Sequence, residues 1–143
     1  MNAAVQDISK DQQAQLLNII KQSVEKEGGG DFNTFIRKLA TVLRDPNNKL
    51  AQFGNSVFLL KRIQPGTVEV HTFSTEPPKA LIQAFQGLAK FLKNQGMHKA
   101  ITYAENPAYF AIAQQTGLPV KMGQGAKKIK GVDKPVYTFE VTL

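Results

Sequence analysis

Residues 105–118 read ENPAYFAIAQQTGL, and local physics predicts a short helix there. Asn106 is a preferred N-cap, because its side chain accepts orphan N–H groups of a first helical turn. Pro107 suits the first helical position, where no N–H is needed, and Gly117 suits the left-handed residue that follows a helix. Just upstream, His98–Ala104 (HKAITYA) has the composition of a strand. Before it, Leu81, Phe85, Leu88 and Leu92 recur at helical intervals between Pro77-Pro78 and Asn94-Gln95-Gly96.

Further outward, Ser56–Ile63 and Thr67–Phe73 are rich in β-branched and aromatic residues, and Gln64-Pro65-Gly66 supplies the turn of a hairpin. Leu50–Phe53 adds a third antiparallel strand beyond Gly54-Asn55. The helix at Leu81–Leu92 then links strand 67–73 to strand 98–104, which implies a parallel pair joined by a right-handed crossover. Two amphipathic helices come earlier. The first starts at a capping box, Ser9 to Gln12, carries Leu16, Leu17, Ile20 and Val24, and stops at Gly28-Gly29-Gly30. Asp31 caps the second, whose stripe of Phe32, Phe35, Ile36, Leu39, Val42 and Leu43 ends at Arg44-Asp45-Pro46. Ala4–Ile8 reads as an edge strand. The chain closes with strands at Ala126–Lys130 and Val136–Thr142, joined through Gly131–Pro135.

The chain of 143 residues suits one domain, 1–143. Its apolar fraction of 42% argues against disorder, and no apolar run reaches the length of a membrane span. Met1–Asp7 shows no signal-peptide pattern, so a cytoplasmic protein, or one assembled into a larger particle, is expected. Cysteine is absent, which excludes disulfides and thiolate metal sites; with only two histidines, no metal site is expected.

The net charge of +7 lies entirely between Pro77 and Val132, where eight lysines face one acid, Glu105. The rest carries ten basic and ten acidic residues. This basic half implies either an anionic partner, including weak non-specific attraction to polyanions, or a solvated lysine face.

Taken in order, the elements resemble the GNAT superfamily, the acetyl-CoA-dependent N-acetyltransferases, over nearly the whole chain. The resemblance implies an α/β (α+β) fold with a mixed, mostly antiparallel sheet of about six to seven strands flanked by about four helices. The last helix of many members looks like Asn-x-x-Ala-x-x-x-Tyr-x-x-x-Gly-Phe. Asn106, Gly117 and Leu118 keep that frame, while Ala113 stands in the place of the tyrosine and Tyr109 in the place of the alanine. The tyrosine is the family's usual general acid, and a methyl group transfers no proton. The family's diphosphate loop looks like Arg/Gln-x-x-Gly-x-Gly/Ala. Here the stretch is Phe73-Ser74-Thr75-Glu76-Pro77-Pro78-Lys79, with no glycine, two prolines and a carboxylate where phosphate would sit.

Two readings follow. In the first, the scaffold has lost acetyl transfer and serves binding or assembly, with a protein partner or self-association and no cofactor; it resembles small GNAT-like virion-associated proteins of short-tailed bacteriophages. In the second, the chain is a divergent N-acetyltransferase using acetyl-CoA. Under that resemblance the backbone of Val70 and Thr72 and the side chain of Asn106 hold the pantetheine arm, and Glu69 or His71, on one strand face, is the candidate general base. Asn106 is equally explained as a helix cap, and Glu69 and His71 as exposed strand residues.

Overall fold

A computed structural model describes residues 10–26, 31–104, 109–129 and 131–143. In chain order these form α1 (Lys10–Lys26), α2 (Phe32–Val42), β1 (Asn48–Phe53), β2 (Ser56–Gln64), β3 (Thr67–Ser74), α3 (Pro78–Asn94), β4 (Lys99–Ala104), α4 (Tyr109–Gln114), β5 (Val120–Ile129) and β6 (Val132–Thr142). The strands make one sheet in the order β1-β2-β3-β4-β6-β5. Among the described residues only β3 and β4 pair in parallel. The expected mixed, mostly antiparallel sheet with four helices is therefore present. The strand expected at Ala4–Ile8, Ser9 of the capping box and Gly28–Gly30 fall outside the described residues.

Strand alternation divides the apolar residues between two faces. On one, Ala51, Phe53, Phe58, Leu60, Val68, Val70 and Ala100 pack against Ala84, Leu88 and Leu92 of α3. On the other, Leu50, Val57 and Phe73 pack against Leu16, Ile19, Ile20 and Val24 of α1 and Leu39 of α2. Burying a side chain such as Phe58, which is fully enclosed, contributes about 1.5–3 kcal/mol.

Local signals set the helix ends. Asp31 caps α2 as expected: its Oδ1 accepts the Asn33 N–H at 3.1 Å and its Oδ2 accepts the Thr34 hydroxyl at 2.8 Å. At the other end, the Val42 carbonyl accepts both Asn48 Nδ2, at 2.8 Å, and the Asp45 N–H, at 3.3 Å. Gly66 turns the β2–β3 hairpin with φ +79°. Its carbonyl accepts the N–H of both His98, at 2.7 Å, and Lys99, at 3.1 Å. One glycine thus ends the hairpin and starts the parallel pair.

The C-terminal hairpin is longer than the sequence suggests. β5 begins at Val120, not Ala126, and Val132–Pro135, expected as a connection, is ladder paired with Ala126–Ile129. Gly123 and Gly125 hid the strand, since glycine is a poor strand former. Gly123 is required by packing: a Cβ there would lie 2.7 Å from Thr138 Oγ1. Pro135 is tolerated because its ring nitrogen faces away from β5, past the end of β4, as the alternation of the β6 ladder dictates.

Candidate functional site

The site is built where the sheet opens. β3 and β4 pair only at Thr67↔Lys99, Val68↔Ala100 and Glu69↔Ile101, although β3 continues to Ser74 and β4 to Ala104. Beyond Glu69 the strands splay. Because the Gly66 carbonyl accepts from Lys99, parallel alternation turns the backbone of Val68, Val70 and Thr72 toward β4. The Val70 carbonyl and both backbone groups of Thr72 therefore face the gap, at the two positions the family resemblance singled out.

Below the gap, on the α3 side, lies an apolar cavity of about 50 Å³ whose walls include Val70, Leu88, Thr102, Leu118 and Val141. On the opposite face stand Glu69 and His71, half-buried and exposed respectively. The His71 ring lies 4.6 Å from that of Phe73, which in turn meets Phe35 of α2 edge-on at 5.6 Å. The parallel register brings Tyr103, two residues past Ile101, to the same face as Glu69. Its phenol pKa is pushed above the usual 10.0, first by burial and then by the negative charge of Glu69. It thus remains a proton donor at every physiological pH. The sequence reading passed over Tyr103, which looked like an ordinary strand aromatic; only the parallel register relates it to Glu69. On the same face Lys99 Nζ pairs with Glu140 Oε1 at 3.0 Å.

At the start of α3, Pro77 is the N-cap residue, makes no side-chain cap and is followed by Pro78 in the first turn. Neither proline has an N–H, and the Glu76 N–H is held by Ser74 Oγ at 3.0 Å. The Glu76 carboxylate is not presented freely at the helix mouth, as the sequence suggested. Its Oε1 accepts the Ser56 hydroxyl at 2.5 Å and the Asn55 N–H at 3.1 Å, which ties it to the β1–β2 turn. Ser56 Oγ lies 2.7 Å from Ser74 Oγ, and Ser23 Oγ of α1 accepts the Ser74 N–H at 3.2 Å. This stretch is a structural clasp in which most of the N–H donors a diphosphate needs are missing or engaged. The residues do not fit that group.

Asn106 and Pro107 lie outside the described residues. From Tyr109 onward α4 runs as expected to Gly117, whose φ is +82°. Thr116 Oγ1 donates to the Ala113 carbonyl at 2.6 Å and closes the last turn. Phe110 stacks on the buried Phe139, centroids 6.2 Å apart, and belongs to the packing. Among the described residues no cluster of His, Cys, Asp or Glu could hold a metal ion, and no helix is long and apolar enough to cross a membrane.

No protein-family model and no curated protein matches the sequence. Solved structures do match the fold. A probable GNAT-family acetyltransferase from Chromobacterium violaceum superposes with TM-score 0.67 at 17% identity, over 90% of this chain and 80% of that one. A spermidine N-acetyltransferase chimera from Vibrio cholerae and hSSAT gives 0.70 at 11% identity, over 99% and 95%. A ribosomal-protein-alanine N-acetyltransferase from Brucella melitensis gives 0.65 at 13%, over 100% and 99%. At such low identity the likeness is one of architecture, and the chain has the GNAT fold.

Proposed function

We propose that this chain uses the GNAT scaffold as a binding or assembly component and has lost acetyl transfer from acetyl-CoA. The observation that carries the reading is the clasp at the start of α3: two prolines, a Glu76 N–H engaged by Ser74, and a carboxylate bonded to Ser56. A diphosphate is held by consecutive free N–H groups at a helix start, and each missing donor leaves phosphate charge uncompensated. Ala113 removes the side chain the family uses as its acid. A basic half from Pro77 to Val132 suits an anionic protein partner, and the resemblance to virion-associated phage proteins suits assembly.

Calorimetric titration with CoA and acetyl-CoA tests this. The expected result is no binding at micromolar ligand; salt-dependent micromolar binding overturns it. DNA binding that disappears at moderate salt would be non-specific polyanion attraction.

A second reading, a divergent N-acetyltransferase, is favoured by one observation: Glu69 and Tyr103 share a face at the splay, a carboxylate beside a phenol kept protonated. Turnover with an amine acceptor that falls in both Glu69→Gln and Tyr103→Phe would establish it.

A further inference from the structure

The hydrogen-bond phase of the C-terminal hairpin identifies which backbone groups of β5 face outward. The Thr142 N–H donates to the Pro119 carbonyl at 3.0 Å, so Val120↔Val141 is a non-bonded pair and Lys121↔Glu140 a bonded one, alternating thereafter along the register. Lys121, Gly123, Gly125 and Lys127 therefore turn their backbone to β6. Val120, Met122, Gln124, Ala126 and Lys128 turn theirs away from it.

Among the described residues no strand pairs with that outer edge. Lys121, Met122, Gln124, Gly125 and Ala126 are exposed. β5 contains no proline to interrupt its outward N–H groups; its lysines guard the edge against strands of like charge and leave it open to an acidic one. Its charge is one-sided: three lysines and no acid. The carboxylates on β6 offset it only in part. Glu140, opposite Lys121, is bonded to Lys99, and Lys127 is in register with Lys134. Asp133 stands opposite Lys128.

This charge also selects the occupant. A second copy pairing antiparallel about Gln124 would set Lys121 against Lys127, so self-association at this edge is disfavoured. We infer that the outer edge of β5 is a docking site for an extended, acidic segment of a partner protein, which adds as a strand beside Val120–Lys128. This rests on the reading of the chain as a binding component and names its partner's chemistry. The register specifies the segment further. Lys121 and Lys127, six residues apart on one face, call for carboxylates at matching ends. Gly123 and Gly125 between them carry no side chain toward the partner, the Thr138 side chain of β6 lying over both, so the segment is read there through its backbone and its own β-branched side chains.

The palindromic peptide Glu-Thr-Val-Thr-Val-Thr-Glu meets this pattern in either strand direction and serves as probe; its counterpart with lysine in place of glutamate is the control. Residue-resolved amide exchange should slow by about tenfold or more at Met122, Gln124 and Ala126, with no change at Gly123 and Gly125, already bonded to β6. Gln124→Pro removes an outward N–H without touching the β6 ladder and should abolish binding, with circular dichroism confirming the fold. Should that variant misfold, Lys121→Glu with Lys127→Glu should transfer the preference to the lysine peptide. Uniform or absent protection, equal binding of both peptides, a stronger hold on single-stranded DNA, or a dimer blocked by Gln124→Pro would each overturn the inference. CoA titration of the same sample separates the two failures: CoA binding refutes the scaffold reading, and a silent peptide without CoA binding refutes the edge alone.

Discussion

The clasp at the start of α3 can be tested through Ser56. Its hydroxyl donates to Glu76 Oε1 at 2.5 Å and lies 2.7 Å from Ser74 Oγ, and the residue is fully buried. Because Ser56 gives its one hydroxyl proton to Glu76, Ser74 Oγ must donate to Ser56 while it accepts the Glu76 N–H, and the three groups form a one-way chain ending on a carboxylate. Ser56→Ala removes the middle link. A hydrogen bond to a charged group contributes about 1.5–3 kcal/mol and a neutral one about 1 kcal/mol. Glu76 is only half-buried, so water restores part of the loss, and the net cost should be about 2 kcal/mol. For a chain of this size that lowers Tm by roughly 6–8 °C. Urea unfolding followed by circular dichroism gives the number directly. Glu76→Gln keeps an oxygen acceptor at the same place and should lose only the charged increment, about 1 kcal/mol. If Ser56→Ala costs less than about 0.5 kcal/mol, the chain contributes nothing beyond ordinary surface polarity, and its description as a clasp is wrong.

Gly66→Ala should cost about 2 kcal/mol, from the left-handed φ of +79° and a Cβ only 2.8 Å from the His98 ring; adding His98→Ala should recover only the steric part in chemical unfolding. Tyr103 should titrate above 10.0 by phenolate absorbance, and Glu69→Gln should bring it down only partly, since burial is the larger cause. Its folded pKa is raised, so its contribution to stability is complete below the unfolded value and is lost as pH rises through the folded one. Asp31 behaves in the opposite sense: hydrogen bonds from Thr34 and then Asn33 hold its carboxyl below 3.8. Helical signal from α2 should therefore persist above that pH and fade as pH drops through the lower folded value, whereas Asp31→Asn should flatten the acid limb.

Much of the architecture was legible because its punctuation is local. Gln64-Pro65-Gly66 and Gly117 act through their own backbone and Asp31 through a carboxylate that reaches only two and three residues ahead, and the structure finds each where the chain places it. β5 escaped because two glycines lower strand propensity, and the reason for Gly123 lies on another strand, in Thr138. The candidate site was half legible. Glu69 and His71 share a face by simple alternation, but Tyr103 joins Glu69 only through a parallel register fixed by Gly66 and Lys99. The carboxylate of Glu76 was expected at the helix mouth, and its attachment to Ser56, 20 residues earlier, is a tertiary fact that no local pattern announces.

The three-residue joint between β3 and β4 also has a kinetic meaning. β1-β2-β3 and β5–β6 are assembled from neighbours along the chain, whereas the joint must close a loop running from Thr67 to Lys99. Contacts between near neighbours form early and distant ones late, since chain closure comes before any reward. β4 is joined on its other side to β6 by pairs still further apart in the chain, such as Lys99 with Thr142, so the docking of β4 between β3 and β6 is the natural late event of folding. Substitutions in the two sheet halves should slow refolding, while those at the Gly66–His98 junction should chiefly hasten unfolding.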